Sequence, residues 1–410
     1  MEKKATVQLV AQTQKAETLE KDVIRVLSGK MSGLCQTSRG MEALQGQKEE
    51  THIKRAIGAE KRGHSVLEHG YVTLYFEGLS KIQAIILNSF RQMYTSEKSG
   101  RHINLSKTAS ATEQKLYDKW ENFFLDAIHV KYSELVSKGL NYESLAKEYA
   151  RYMLSVFNHG TSMAYTVNVH QLTLVHSMLS KFAQYLRDKI YKDSGFDVEL
   201  YNEVIELCGL IEENGFLFEE VQNAKNRMFD TFAIQAGKVW EDKNVYSDMY
   251  MVNYSMSFVG FAQSHRHRTL KYELYFNEDE GNIDFYVPPF LAMSHPDKIV
   301  EWKNDLRGLV ESGLYPNALM IKVREMGHID DFALKCQERL CSRAAHEICM
   351  ATEKMLHRMW ENQDGFSANG KATLATLVND NGDVKTKCQI QGDCLEPCIW
   401  GPYNCFSREV

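Results

Sequence analysis

Three cation-capable side chains stand in a row at Arg266-His267-Arg268, inside SHRHRTLKYEL. Such a string is costly unless something anionic lies against it, so it points to phosphate or another anionic ligand. The preceding SMSFVGFAQ predicts a short helix that carries the string out of a packed core. The nearest counterpart in the first half is FRQMYTSEKSGRH, residues 90–102, which lacks the string but holds Glu97, Ser99, Gly100 and Arg101. A carboxylate, a hydroxyl, a bare glycine backbone and a guanidinium in one loop fit phosphate capture. A solvated Ser-Gly turn has the same composition. Taken together, the two segments read as complementary fragments of one nucleotide site.

A second group of chemistry-bearing residues closes the chain. TKCQIQGDCLEPCIWGPYNCF holds Cys388, Cys394, Cys398 and Cys405 at spacings that match no standard zinc knuckle. Zinc, an iron–sulfur cluster, and free or redox-paired thiols all stay open. GFSANGKAT, residues 365–373, nearly spells a phosphate-binding loop, but Ala372 stands where a hydroxyl would hold magnesium, and the segment reads as a flexible loop. His328, His346, Cys336, Cys341 and Cys349 read as residues satisfied within helices.

The elements that must position these residues follow from periodicity. ATVQLVA, residues 5–11, reads as a strand and 17–28 as a helix. HSVLEHGYVTLYF becomes β-rich from Tyr71. Ser80 to Phe90 has helical spacing, with Ile82, Ile85, Ile86 and Phe90 on one face. Ser110 and Glu113 form a capping box, opening a helix whose core stripe is Leu116, Trp120, Phe124, Ile128, Tyr132 and Leu135, and which Gly139 ends. Further helices are predicted near 143–157 and 168–190, across most of 200–240, and near 297–312 and 328–362. YELYFNEDEGNIDFYVPP predicts two short strands around an acidic turn, and 363–383 a loop before the cysteine-rich tail.

Composition narrows the class. The 410 residues are 44% hydrophobic and 25% charged, as in ordinary globular proteins, and the net charge of −6 argues against bulk nucleic-acid binding. The N-terminal stretch lacks a secretory core and no apolar run reaches membrane-spanning length, so no membrane role is expected. Scattered cysteines predict a reduced cytoplasmic protein, and only six prolines favour long helices. NVHQLTLVHSMLSKFAQYLRDKI and HIDDFALKCQERLCSRAAHEICM resemble each other at an offset of roughly 160 residues, against about 175 for the two loops. We read this as a diverged duplication, with convergent amphipathic helices as the alternative: a repeat over 1–195, a second over 196–362, and a tail over 363–410.

HSVLEHGYVTLYFEGLSKIQAIILNSFRQMYTSEKSGRH resembles the core of the flavin-dependent thymidylate synthases. That family's signature is Arg-His-Arg, a short spacer, then Glu-x-Ser-x-Arg-Tyr. The first half keeps His64, His69, Glu97, Ser99 and Arg101, but reads Arg91-Gln92-Met93 at the Arg-His-Arg position and His102 at the final Tyr. The second half supplies Gln263 three residues before Arg266-His267-Arg268 and lacks the Ser-x-Arg part. LAKEYARYMLSVFNHGTSMAYTVNVHQL aligns Arg151 with a substrate-binding arginine and Asn168 with a flavin-binding asparagine, and RLCSRAAHEI places Arg339 at another substrate-binding arginine. The resemblance implies an α+β fold with a central, mostly antiparallel sheet and long helices, two copies packed as a pseudo-dimer. It implies FAD contacts from His64, Asn168, Arg266, His267 and Arg268, and nucleotide contacts from Gln263, Glu97, Ser99, Gly100, Arg101, Arg151 and Arg339. Arg266, Arg339 and Arg101 would carry the chemistry: conversion of dUMP to dTMP with methylenetetrahydrofolate and NADPH as co-substrates. A homodimer of the tandem chain would reproduce the family tetramer. Alternatives are modification of C5 of another pyrimidine nucleotide, with methyl or hydroxymethyl, and a non-catalytic nucleotide-binding homologue.

Overall fold

Two three-stranded antiparallel sheets organise the computed structural model, which describes residues 20–34, 40–61, 66–90, 93–190, 194–213, 216–219, 248–276, 283–391, 399–401 and 405–410. The first sheet contains β1 (Tyr71–Leu79), β2 (Met93–Glu97) and β3 (Thr161–Asn168) in the order β1-β3-β2. The second contains β4 (Met249–Ser257), β5 (Lys271–Tyr275) and β6 (Met320–His328) in the order β4-β6-β5. Helices α1 (Lys21–Gly33), α2 (Gly40–Gln45) and α3 (Glu49–Glu60) precede β1, and α4 (Lys81–Asn88) joins β1 to β2. Between β2 and β3 lie α5 (Ala111–Lys131), α6 (Ser133–Ser137) and α7 (Tyr142–Ala150); α8 (Val169–Lys189) and α9 (Phe196–Glu213) follow β3. The second sheet is threaded likewise. Helix α10 (Phe258–Ser264) joins β4 to β5, α11 (Pro289–Ser294) and α12 (Ile299–Glu311) precede β6, and α13 (Ile329–Arg339) and α14 (His346–Glu361) follow it. Helices α15 (Ala368–Leu377) and α16 (Lys387–Gln391) come last.

Local chemistry explains the boundaries. β3 alternates, burying Met163, Tyr165 and Val167 on the core face. Each strand-to-helix step is capped by the residue that ends the strand or follows it. Ser80 and Gln83 form a capping box on α4, and Ser257 accepts from the Gly260 amide on α10. Asn168 caps α8 through the Gln171 amide, and His328 caps α13 through the Asp330 amide. β1 bulges between Glu77 and Leu79, where Gly78 takes φ of 70°, whereas β4 runs in unbroken register along β6.

The two sheets share one core. Leu154–Val156 runs antiparallel to Tyr315–Asn317: the Val156 amide donates to the Tyr315 carbonyl at 2.8 Å and the Asn317 amide to the Leu154 carbonyl at 2.7 Å. Trp120 meets Trp302 edge-on at 4.8 Å, and Lys119 pairs with Asp305 and Glu301. Among the described residues no helix is long and apolar enough to cross a membrane.

Several sequence expectations are corrected. The helix expected to 157 stops at Ala150, because the segment after it leaves to pair with the 315–318 backbone. The helix beginning at Ser110 ends at Lys131, and Gly139 closes the short α6 turn at φ of 101°. The helix expected over 328–362 is two helices with a break at 340–345, and His328 ends a strand. Part of the loop expected over 363–383 is α15, capped by Ser367. The second strand after the acidic turn reduces to one bridge, Phe285 to Leu319. The strand at 5–11, the acidic turn and residues 220–240 lie outside the described residues.

Candidate functional site

Where β2 ends, the chain turns through Ser99, Gly100 and Arg101, held by the Lys98 amide on the Ser162 carbonyl at 2.9 Å and by the His102 and Ile103 amides on the Ser99 carbonyl. Gly100 packs closely there: a Cβ would lie 2.9 Å from Leu105 Cδ1, which would have to shift, and 3.5 Å from Arg151 Cδ. Arg101 ion-pairs with the buried Glu148 of α7 at 2.6 Å and donates to the Arg343 carbonyl at 2.6 Å. Arg151, one residue past α7, donates through Nε to the Glu148 carbonyl at 3.1 Å.

The second half closes the other side. Helix α10 presents Val259, Ala262 and Gln263, its exit presents Arg266, and α13 ends on Arg339. All of these, with Lys81, Glu97, Ser99, Gly100, Arg101, Arg151 and Asn317, line one cavity of about 190 Å³ between the sheets.

Glu97 is its electrostatic centre. Its carboxylate accepts from Lys81 Nζ at 2.6 Å, from Arg266 Nη2 at 2.6 Å and from Asn88 Nδ2 at 3.3 Å. Burial alone would push this carboxyl up; Lys81 and Arg266 outweigh it and hold the pKa at about 2. Desolvation pulls the Lys81 ammonium down, against the opposing pull of Glu97. With one carboxylate committed to two cations, the cavity keeps an excess of donors. Arg151 Nη2 is buried without a hydrogen-bond partner, as is the acceptor Asn317 Oδ1. That is the donor set an anionic, hydrogen-bonding ligand needs.

The seven residues expected to hold the nucleotide, Gln263, Glu97, Ser99, Gly100, Arg101, Arg151 and Arg339, therefore meet around this cavity. The residues expected to hold FAD do not. Only Arg266 reaches the cavity. His267 accepts from Arg339 Nε at 2.8 Å, and burial followed by Arg339 and Lys335 pushes its pKa down to about 2. Arg268 donates to the Met93 carbonyl at 3.0 Å and to Thr95 Oγ1 at 2.6 Å, stapling the second half to β2. Asn168 is buried and committed to capping α8. His64 lies outside the described residues.

The cysteine tail is also rearranged. Cys394 and Cys398 lie outside the described residues. Cys405 is buried with its thiol against Cys349 of α14, and Cys388 sits in α16. The cluster with metal-ligand spacing among the described residues is instead His159, Glu203 and Glu206. There the Glu203 carboxylate, 3.0 Å away, raises the His159 pKa to about 9, so the group reads as an ion pair.

Sequence reasoning missed Lys81, Glu148 and Asn317. Lys81 looks like a solvated first residue of α4, and its partner Glu97 becomes visible only through strand pairing. Glu148 did carry a signal, standing three residues before Arg151 on a helix.

Residues 8–185 match the thymidylate synthase complementing protein family. The loop at Glu97–Arg101, Arg151 and Asn168 fall inside that span; Gln263, Arg266 and Arg339 fall beyond it. No curated protein and no solved structure matches the chain.

Proposed function

We propose that the protein is a thymidylate synthase-like enzyme that binds dUMP between its two halves and methylates C5 of the base. We further propose that the halves are a diverged tandem pair contributing complementary parts of one site. The family match supports the enzyme class. The observation that carries the reading is the convergence of the Glu97–Arg101 loop and the Gln263–Arg266 helix exit on one donor-rich cavity, joined by the 2.6 Å Arg266–Glu97 contact.

In this reading Ser99, the Gly100 backbone, Arg101 and Arg151 take the phosphate, since a guanidinium fork and free amides suit its oxygens. Arg339 and Arg266 face the base. Fixed cations there stabilise negative charge that develops on a pyrimidine carbonyl as C5 reacts, with no reorganisation needed at that moment. Glu97 orients Lys81 and Arg266 and stays ionised throughout. The carbon would come from methylenetetrahydrofolate and the electrons from NADPH through FAD; the roles assigned here do not depend on where that flavin sits. Of the described cysteines, Cys208, Cys336, Cys341, Cys349 and Cys405 form no disulfide, in keeping with the proposed reducing cytoplasm. Tyr71, Tyr75 and Tyr94 are exposed on the outer strands of the first sheet, a surface that the proposed homodimer would cover.

A second reading, a non-catalytic nucleotide-binding homologue, is favoured by the commitment of His267 and Arg268 to structural contacts. Purified protein given FAD, NADPH, methylenetetrahydrofolate and dUMP separates the two: dTMP formation and bound flavin absorbance support the enzyme, and dUMP binding without either supports the homologue. Calorimetric titration with dUMP tests the composite site. Arg101→Ala and Arg266→Ala must each weaken binding, and wild-type affinity in either variant refutes it.

A further inference from the structure

Asn317 lies between α12 and β6, in the segment YPNALM. Its amide nitrogen donates to the Leu154 carbonyl at 2.8 Å and approaches the Arg151 carbonyl at 3.5 Å. Two carbonyl acceptors on one side fix the orientation of the amide, since the oxygen cannot face them. Oδ1 is therefore turned the other way, on a residue that lines the cavity and is 7% exposed, and it has no partner. Around it the cavity is rich in donors: Arg339 and Arg266, which face the base in the proposed site, line the same cavity. An uncommitted buried acceptor among guanidinium donors complements a ligand edge in which an N–H lies between carbonyl oxygens.

Resting on the proposed nucleotide site, we infer that Asn317 Oδ1 accepts the N3–H of a 2,4-dioxopyrimidine base and so makes the site selective for uracil-type nucleotides. Cytosine presents a lone pair at N3 and leaves this acceptor facing another acceptor. A buried acceptor left unpaired weakens binding by roughly 10- to 100-fold.

The test is calorimetric titration of the full-length protein with dUMP, dCMP and 3-methyl-dUMP. The wild type should bind dUMP about 10- to 100-fold more tightly than either of the others. Asn317→Ala should narrow all three affinities to within about threefold by weakening dUMP alone. Asn317→Ser, a milder change at the Leu154 contact, should do the same if the alanine variant unfolds. Equal affinity of the wild type for dUMP and 3-methyl-dUMP overturns the inference and leaves the nucleotide site standing. Retention of the dUMP preference in a folded Asn317 variant also overturns it, because the N–H is then read elsewhere. Failure of the wild type to bind any of the three sinks the nucleotide reading itself.

Discussion

The two strand–helix–strand turns of the molecule have the same connectivity and opposite chemistry. Ser80 caps α4 and Lys81 follows; Ser257 caps α10 and Phe258 follows. Glu97 lies opposite Met163 near one end of β3, and Leu274 lies opposite Val323 at the matching place on β6. Two residues further on stand Ser99 and Phe276. Lys81, Glu97 and Ser99 border the open cavity. Phe258 and Phe276 are instead closed in by Phe196, Phe157 and Tyr315, with ring centroids 4.8 Å apart for Phe196–Phe276 and 5.6 Å for Phe157–Tyr315. One backbone plan thus supports a polar cleft at one turn and an aromatic plug at the other. Polar residues at the cleft keep it from collapsing, while the plug contributes burial that holds the halves in register around it.

The comparison breaks most readily at the plug. Phe258 is fully buried among aromatic rings, so Phe258→Ala should cost about 3–5 kcal/mol, read as a shifted denaturation midpoint at unchanged slope. Its dUMP affinity should stay within about threefold of wild type, since Phe258 does not itself line the cavity. A variant of wild-type stability that loses dUMP would show that the plug is part of the site.

Next in size is the part of the acid limb of stability that Glu97 supplies, which has no counterpart at the plug because Leu274 does not titrate. The Glu97 carboxyl is held at about 2 against an ordinary 4.5. A depressed folded pKa gives stability that is fully present above the unfolded value and is lost as pH falls from about 4.5 through about 2. The gross size is about 3 kcal/mol for this nearly inaccessible carboxylate. Glu97→Gln should flatten that limb in denaturation curves taken between pH 2 and 6. An unchanged limb would detach the Lys81–Glu97–Arg266 cluster from stability.

Much of the cleft was legible in sequence and almost none of the plug. Glu97, Ser99, Arg101, Gln263, Arg266 and Arg339 stand in patterns whose residue types announce anion binding. Phe157, Phe196, Phe258, Phe276 and Tyr315 come from five separate segments, and each alone is an ordinary core aromatic. The cationic string divides in the fold. A chain leaving a helix points consecutive residues apart, so Arg266 reaches the cavity, His267 turns back to Arg339 and Arg268 reaches β2. Long periodic helices were found wherever packing followed periodicity. Their ends were misplaced at 150–157, where pairing across the halves, invisible to local pattern, took over the backbone, and at 340–345, where Lys387 and Arg408 take the Leu340, Ser342 and Ala344 carbonyls.

Arg266 sharpens the comparison from the other side. Its guanidinium is substantially exposed and Lys81 keeps its own contact with Glu97, so Arg266→Ala should cost only about 1 kcal/mol of stability while weakening dUMP about 10- to 100-fold, the loss expected for a charge-assisted hydrogen bond. Thermal melts and titration on the same preparation read both quantities. A large stability loss would place Arg266 with the structural contacts of Arg268 rather than with the ligand.

The smallest effect separates the two helix caps. Ser80 Oγ donates to Glu203 at 2.5 Å, and Ser257 Oγ donates to Glu347 at 2.5 Å, so each cap is buttressed by a glutamate. Beyond the glutamates the two diverge. Glu347 takes a hydrogen bond from Tyr152 at 2.9 Å, and burial raises its carboxyl above the usual range. Glu203 faces His159, whose other ring nitrogen donates to the carbonyl of the bulge residue Gly78 at 2.8 Å. The Glu203 contact, against the opposing effect of burial, lifts the His159 pKa from 6.5 to about 9. A raised folded pKa gives stability that is complete below about 6.5 and disappears as pH climbs through about 9. With the ring 38% exposed, solvent screening leaves about 1 kcal/mol of it. Wild type should therefore lose about 1 kcal/mol more than His159→Gln between pH 6 and 10 in denaturant titrations, because at the Glu347 cap no imidazole releases a proton in that range. Equal losses in the two proteins would mean that the bulge in β1 shapes the strand without holding a charged imidazole against Glu203.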